Sequence, residues 1–250
     1  MMSRLVIIGH LANVLCTVYS CRETKSVVGV SIKSFELYVL AFGLQLLITN
    51  DYITAFIELL SIISIFYLIN LVYNEDPYKS AFLAHECLND SFPHWKYIVL
   101  PSLILALCTN LVEENFTLSQ EESSDSKRVT ETLRIFSLYI ESVALVPQIV
   151  LLYRFKEIEN FKWYNIVAST LESFLCIFSV LFVLGDVYAG STGGYEGIFG
   201  DYDRTSHYEG WYPLAIEFVA AFLQTGLWAS FVYLFIRIKF YGAGSMQKFH

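Results

Sequence analysis

Charged residues are scarce in this 250-residue chain, and their scarcity argues against a soluble globular protein. Only 16% of the residues are charged, whereas 55% are hydrophobic. A soluble domain ordinarily carries about 25% charged residues. The composition is therefore typical of a chain that lies mostly in a lipid bilayer.

The sequence also lacks the motifs that would support catalysis or metal binding. Its five cysteines include no Cys-x-x-Cys pair, and it contains no Gly-rich phosphate loop, no His-Glu-x-x-His motif and no serine–histidine–aspartate pattern. His85, Asp90 and His94 share one polar stretch, but their spacing fits no standard site. We expect a protein that is not an enzyme, with no cofactor, no metal and no nucleic-acid partner.

Seven apolar segments approach the length of about 20 residues that a membrane-spanning helix needs, although some are short. The polar stretches between them are too short to form a soluble domain. We therefore predict an all-α, seven-helix membrane bundle in a single domain, 1–250. The predicted helices are residues 4–20, 34–49, 52–73, 97–112, 132–153, 163–187 and 213–237.

The apolar start of the chain could also pass for a secretory signal peptide. We favour a first transmembrane helix, because the run carries His10 and Asn13 in its middle and has no clear cleavage site.

Lysine and arginine are distributed unequally between the two sides of this bundle. If successive loops alternate, eleven of the 16 basic residues lie on the side that holds the C-terminus. Because cytosolic loops carry the excess of positive charge, we predict a lumenal N-terminus and a cytosolic C-terminus. Loops 113–131 and 188–212 then face the lumen, and we expect Asn115, in the sequon Asn115-Phe-Thr117, to be glycosylated.

The fifth predicted helix carries polar side chains at membrane depth. Arg134, Glu141 and Gln148 recur at helical spacing on one face. Ionisable side chains inside a bilayer are costly and usually functional, so this face is predicted to line the bundle interior or a wet cavity. Pro147 interrupts the helical hydrogen bonds beside Gln148. The alternative is that Glu141 and Gln148 only satisfy neighbouring helices.

Three further acids lie in apolar segments. Glu58 and Glu217 are close enough to helix ends that they could extend to the membrane surface. Glu172 lies near the middle of its segment and needs a partner. Arg134 and His10 are the candidate positive groups.

Two motifs resemble the KDEL receptor family, the ER lumen protein-retaining receptors. Ile140-Glu-Ser-Val-Ala-Leu-Val-Pro-Gln148 is similar to that family's Leu-Glu-Ser-Val-Ala-Ile-Leu-Pro-Gln, and Gly29-Val-Ser-Ile-Lys-Ser34 is similar to its Gly-Ile-Ser-x-Lys-Ser. Weaker similarities are Gly9, Leu100-Pro101, Tyr208-Glu-Gly210 and Leu223-Gln-Thr225.

The resemblance implies a fold like that of the SWEET and PQ-loop transporters, with two three-helix repeats joined by a linking helix. It also implies a receptor of ER and Golgi membranes that binds the C-terminal Lys/His-Asp-Glu-Leu signal of escaped ER proteins. COPI vesicles then return the receptor and its cargo to the ER. Lysines near the C-terminus serve that return, and here Lys248 is third from the end.

The chain departs from the family at the residues that bind the signal. The family's binding arginines correspond here to Val6, Gln45, Glu172 and Phe182, and its pocket tryptophan corresponds to Arg134. A pocket without arginines that also holds an extra acid repels an acidic tail.

Two interpretations of the pocket stay open. In the first, Arg134 and a protonated His10 recognise an altered signal, together with Glu141, Gln148, Gln45 and Glu172. Because histidine ordinarily titrates near pH 6.5, it suits binding in an acidic compartment and release at neutral pH. In the second, the chain moves a small polar or cationic solute along an acid-lined path.

Overall fold

The described part of the chain is entirely helical wherever it has regular structure. The computed structural model describes residues 2–27, 30–80, 82, 93–116, 125–155, 167–168, 170–178, 181 and 211–238. Its helices are α1 (Met2–Thr24), α2 (Ile32–Ile48), α3 (Tyr52–Asn74), a π-helical turn (Trp95–Val99) that continues into α4 (Leu100–Phe116), α5 (Asp125–Val143), α6 (Val146–Phe155), α7 (described over 170–178) and α8 (Trp211–Ile236). The predicted all-α class is confirmed.

Three of the described segments are long and apolar enough to cross a membrane. They are Tyr52–Asn74, Arg128–Tyr153 and Ala215–Ile236, and the second runs through both α5 and α6. These segments support a membrane protein, while the count of seven spans and the two-repeat arrangement stay predictions. Loop 188–212 and most of the predicted helix 163–187 lie outside the described residues.

The expected lumenal loop 113–131 is shorter than its polar composition indicated. Helix α4 continues to Phe116 and α5 already begins at Asp125, so both ends of the expected loop are helical. Glu, Lys and Arg are good helix formers, and no glycine or proline interrupts this stretch. Hydropathy marks where the membrane ends, which is not where these helices end. Asn115 consequently lies in the last turn of α4.

Side-chain caps define the starts of α2 and α3. The Ser31 hydroxyl accepts a hydrogen bond from the Ser34 backbone N–H at 3.4 Å. The Asp51 carboxylate accepts from the backbone N–H groups of Ile53 and Thr54. Such caps satisfy the free N–H groups of a first helical turn, so the short 49–51 connection reverses the chain without leaving them unpaired.

Helices α2 and α5 form the centre of the described bundle. Helix α2 packs against α3, α5 and α6, and α5 also packs against α4 and α8. Leu37 and Ala41 of α2 meet Ile135 and Ile140 of α5, and each of these side chains is at most 1% exposed. Any polar side chain on the facing surfaces of α2 and α5 is therefore held inside the bundle.

A break separates α5 from α6 at Ala144 and Leu145, which form a turn. Pro147 explains it, because proline has no backbone N–H to donate to the carbonyl of Val143. Regular bonding resumes when the Ile149 N–H donates to the Leu145 carbonyl at 3.1 Å. The break lies between Glu141 and Gln148, so the two side chains can face different neighbours.

Glu58 does not reach the membrane surface, contrary to one sequence interpretation. Its side chain lies on the buried face of α3, together with Ser61, Ile65 and Leu68, and is 2% exposed. Among the residues that the structure describes, its Oε2 atom has no hydrogen-bond partner. The helix is too tightly packed on this face for the carboxyl group to extend outward.

We expect Glu58→Met to stabilise the protein, because it replaces an unsatisfied buried carboxyl group with an apolar side chain of similar length. The gain should be about 1–3 kcal/mol, seen as a higher midpoint of thermal unfolding in detergent. Glu172→Met is the matched control, because that buried carboxylate is hydrogen-bonded and its loss should lower the midpoint. A fall of equal size in both variants would contradict this assignment of Glu58.

Candidate functional site

The imidazole of His10 bridges two buried carboxylates. Its Nε2 lies 2.8 Å from Glu141 Oε1, and its Nδ1 lies 2.8 Å from Glu172 Oε1. His10 is 3% exposed and Glu172 is 4% exposed. One side chain of α1 thereby joins α5 to α7 inside the bundle.

Two amides complete the coordination of these carboxylates. Asn13 Nδ2 donates to Glu172 Oε2 at 2.8 Å, and Gln45 Nε2 donates to Glu141 Oε2 at 2.6 Å. Each carboxylate thus accepts from the histidine through one oxygen and from an amide through the other. We call these five side chains, His10, Asn13, Gln45, Glu141 and Glu172, the acid network.

The geometry of the acid network requires one proton more than a neutral histidine carries. An ionised carboxylate only accepts hydrogen bonds, and a neutral imidazole has a single N–H. Since both ring nitrogens of His10 face carboxylate oxygens at the same distance, both must carry hydrogen when Glu141 and Glu172 are ionised. The charged arrangement has the stronger hydrogen bonds and leaves a net charge of −1.

Close helix packing brings His10 to Glu172. A Cβ atom at Gly9 would lie 3.3 Å from the Cα atom of Glu172, tighter than an ordinary contact. Glycine at this position therefore lets α1 approach α7 until the next side chain reaches the carboxylate. Asn13 follows His10 by three residues on the same helical face, so it meets the same acid.

Helix α2 supplies the aromatic wall beside His10. Tyr38, Phe42 and Gln45 recur at helical spacing and therefore share one face. The rings of Tyr38 and Phe42 have centroids 5.7 and 5.4 Å from that of His10. The rings meet that of His10 at interplanar angles of 58° and 70°, which is the tilted to edge-on packing typical of aromatic pairs.

Gln148 lies on the other side of the α5–α6 break and contacts the start of α2. Its Oε1 accepts from the Ser31 backbone N–H at 2.7 Å, and its own backbone N–H donates to Ser34 Oγ at 3.0 Å. This contact joins the two sequence motifs that carry the family resemblance, the stretches around Ser31 and Pro147. Gln148 also lines a small cavity, together with His10 and Asn13.

Arg134 lies outside the acid network, although it shares a helix with Glu141. Its guanidinium donates to Glu131 on the same helix, with NH2 2.7 Å from Oε1, and its NH1 donates to Glu217 of α8 at 3.0 Å. The side chain is 34% exposed. Arg134 thus connects α5 to α8, and Glu217 is held by this pair.

A small cavity adjoins the acid network. It measures about 40 Å³ and is lined by His10, Asn13, Val14, Thr17, Ser34, Phe35, Tyr38, Phe42, Leu145, Gln148 and Phe231. A water molecule needs roughly 10–15 Å³ on this measure, so the space suits a few waters or one small polar head group. A tetrapeptide is far larger.

The structure brings together five of the six ligand-binding residues that the sequence singled out. His10, Gln45, Glu141 and Glu172 meet directly and Gln148 lies across the cavity, whereas Arg134 does not join them. Asn13, Tyr38 and Phe42 were not predicted as site residues. Their spacing from His10 and Gln45 on the same helix faces is the signal that could have identified them. Lys248 lies outside the described residues.

We expect His10→Leu to destabilise the protein by about 3–5 kcal/mol, because it leaves two buried carboxylates without their shared cation. In the background Glu141→Gln/Glu172→Gln the same change should cost roughly 1 kcal/mol, since no buried charge is then left unpaired. Thermal unfolding of the four variants in detergent measures the difference. Equal costs in the two backgrounds would contradict the bridge.

Known proteins share this sequence over most of its length. Residues 26–182 match the family described as ER lumen protein retaining receptor. ER lumen protein-retaining receptor B of Arabidopsis thaliana is 30% identical over 235 residues, covering 90% of this chain and 88% of its own. The ER lumen protein-retaining receptor of Petunia hybrida is 30% identical over 91% of this chain and 89% of its own. That of Plasmodium falciparum is 24% identical, with coverage of 96% and 94%. The chain therefore belongs to the ER lumen protein retaining receptor family.

Proposed function

We propose that this protein is a retrieval receptor that binds C-terminal signals of escaped ER proteins in the Golgi. COPI vesicles would return it with its cargo to the ER. The observation that carries the proposal is the position of the acid network. The resemblance implies that Gln45 and Glu172 stand where the family has binding arginines. Here Gln45 contacts Glu141, and Glu172 contacts His10. The buried polar residues of this chain therefore gather where the family is expected to bind its signal.

The ligand differs from a standard acidic signal in this proposal. Within the described residues that line the cavity there is no lysine or arginine, and His10 already contacts two carboxylates. An acidic tail would meet a site of net negative charge. An altered signal, with fewer acidic side chains, fits this site better.

Arg134 is the remaining cation among the described site residues that a carboxylate of the ligand could reach. Its pair with Glu217 is partly exposed, so exchange of Glu217 for a ligand carboxylate does not require a deeply buried pair to separate. We propose that a carboxylate upstream of the ligand's C-terminus takes this place, while the residues that follow it enter between α2 and α5. Helix α5 would move away from α2 by bending at the break between α5 and α6.

The membrane arrangement is part of the same proposal. We propose multi-pass insertion in ER and Golgi membranes, with a lumenal N-terminus and a cytosolic C-terminus that carries Lys248. Asn115 is then a lumenal glycosylation acceptor at the end of α4.

A second candidate function is favoured by the size of the cavity. About 40 Å³ beside two carboxylates suits the head group of a small polar or cationic solute. Glu141, Glu172 and Gln148 would then line its path through the membrane. Uptake of labelled sugars and amino acids into proteoliposomes would distinguish this transporter from a receptor.

We expect the purified protein to bind C-terminal peptides about equally well at pH 5.5 and at pH 7.4. The physical reason is that both ring nitrogens of His10 donate to buried carboxylates, so the imidazole keeps its charge across this range. Fluorescence anisotropy with octapeptides ending in Lys-Asp-Glu-Leu, His-Asp-Glu-Leu or randomised tetrapeptides measures it. Absence of any C-terminal preference at both pH values would exclude the receptor.

We expect Arg134→Ala and Glu217→Gln to change peptide affinity in opposite directions. Removing the guanidinium should weaken binding by about 10-fold or more, because a charge-assisted hydrogen bond is lost. Removing the acid should strengthen binding, because it frees the guanidinium for the ligand. If Arg134 only connects α5 to α8, both variants should lower the unfolding midpoint and neither should shift the affinity.

A further inference from the structure

Two buried N–H groups of α8 have no acceptor in the part of the chain that the structure describes. They are Gln224 Nε2 and Trp228 Nε1. The Gln224 side chain is 9% exposed and therefore lies almost wholly inside the bundle. The two residues are four positions apart, so they share one helical face. Phe231, one turn beyond Trp228 on that face, is 2% exposed and lines the cavity.

A contact with α7 orients the Gln224 amide. The Cys176 thiol donates to Gln224 Oε1, with Sγ and oxygen 3.3 Å apart. With its carbonyl held toward α7, the amide turns its NH₂ group to the other side. Cys176 follows Glu172 by one turn of the same helix, so this contact lies next to the acid network.

Unpaired donors at this depth are costly. A buried donor without an acceptor costs about 1–3 kcal/mol, and the bilayer core offers no water to replace the partner. Two such donors on one helical face indicate a surface that is complementary to acceptors of a ligand.

The surrounding charge defines which acceptors fit. Glu217 precedes Gln224 by seven residues on the same face, and Glu172 precedes Cys176 by one turn. An anionic carboxylate would be repelled by these acids unless a cation accompanied it. A neutral oxygen, such as an amide carbonyl, would not be repelled.

The spacing of Gln224 and Trp228 along the helix axis is close to the repeat of an extended peptide. Residues four apart on a helix are separated by about 6 Å along its axis. Carbonyls on one side of an extended chain recur at every second residue, about 6.6–6.8 Å apart. A strand lying along α8 therefore presents two successive carbonyls of one edge at nearly the spacing of Gln224 and Trp228.

We propose that Gln224 and Trp228 form a subsite that binds two alternate backbone carbonyls of an extended peptide inserted alongside α8. This inference rests on the proposed receptor function and adds how the backbone of the signal is recognised. Binding through the backbone also tolerates altered side chains in the signal.

The test uses the full chain in detergent and the octapeptides ending in Lys-Asp-Glu-Leu, His-Asp-Glu-Leu or random tetrapeptides. For the octapeptide that the unaltered protein binds most tightly, Trp228→Phe and Gln224→Leu should each weaken binding about 2- to 10-fold. Phe222→Leu is the matched control, because Phe222 is on α8 and 71% exposed. It should leave the affinity unchanged.

A second measurement does not depend on how well the variants fold. Replacing single backbone amides of the peptide by esters weakens the carbonyl acceptors without changing side chains. Esters at two positions, two residues apart, should each weaken binding to the unaltered protein. In the Trp228→Phe variant, one of these two esters should no longer have an effect. Unchanged affinity in both variants and for every ester would overturn the subsite. If the unaltered protein binds none of the peptides, the receptor function itself fails.

Discussion

The contact on which the rest of this structure depends is the bridge from His10 to Glu141 and Glu172. A carboxylate inside a bilayer is tolerated only with a partner, and two acids here share one imidazole at 2.8 Å from each ring nitrogen. Helices α1, α5 and α7 must therefore keep their relative positions. Gly9 permits the approach, and Gln45 and Asn13 satisfy the remaining oxygens.

The same bridge constrains what the protein can bind. It occupies the cation that an acidic peptide would need, and it leaves the acid network with net negative charge. Arg134 is the partly exposed alternative, and Gln224 and Trp228 offer neutral donors on α8. In this account the ligand contacts the receptor by one carboxylate and by its backbone. Acidic side chains matter less than in the rest of the family.

The features that the sequence predicts best are those for which burial has a large energetic cost. Hydropathy identified a helical membrane protein, and the acids at membrane depth, Glu141 and Glu172, were singled out because few environments tolerate them. The partner of Glu172 could not be predicted, since Arg134 and His10 were both candidates. The close contact at Gly9 decides between them. The location of the Glu58 side chain could not be predicted, because distance from a helix end does not reveal which face of the helix is packed. In the structure this side chain is buried.

The protonation of His10 tests the central contact most directly. In protein labelled with ¹⁵N-histidine and studied by solid-state NMR in lipid, a His10→Phe sample identifies the His10 signals. The account predicts hydrogen on both ring nitrogens, each in a hydrogen bond to a carboxylate. One protonated and one bare nitrogen would contradict it, because a neutral imidazole cannot donate to both Glu141 and Glu172.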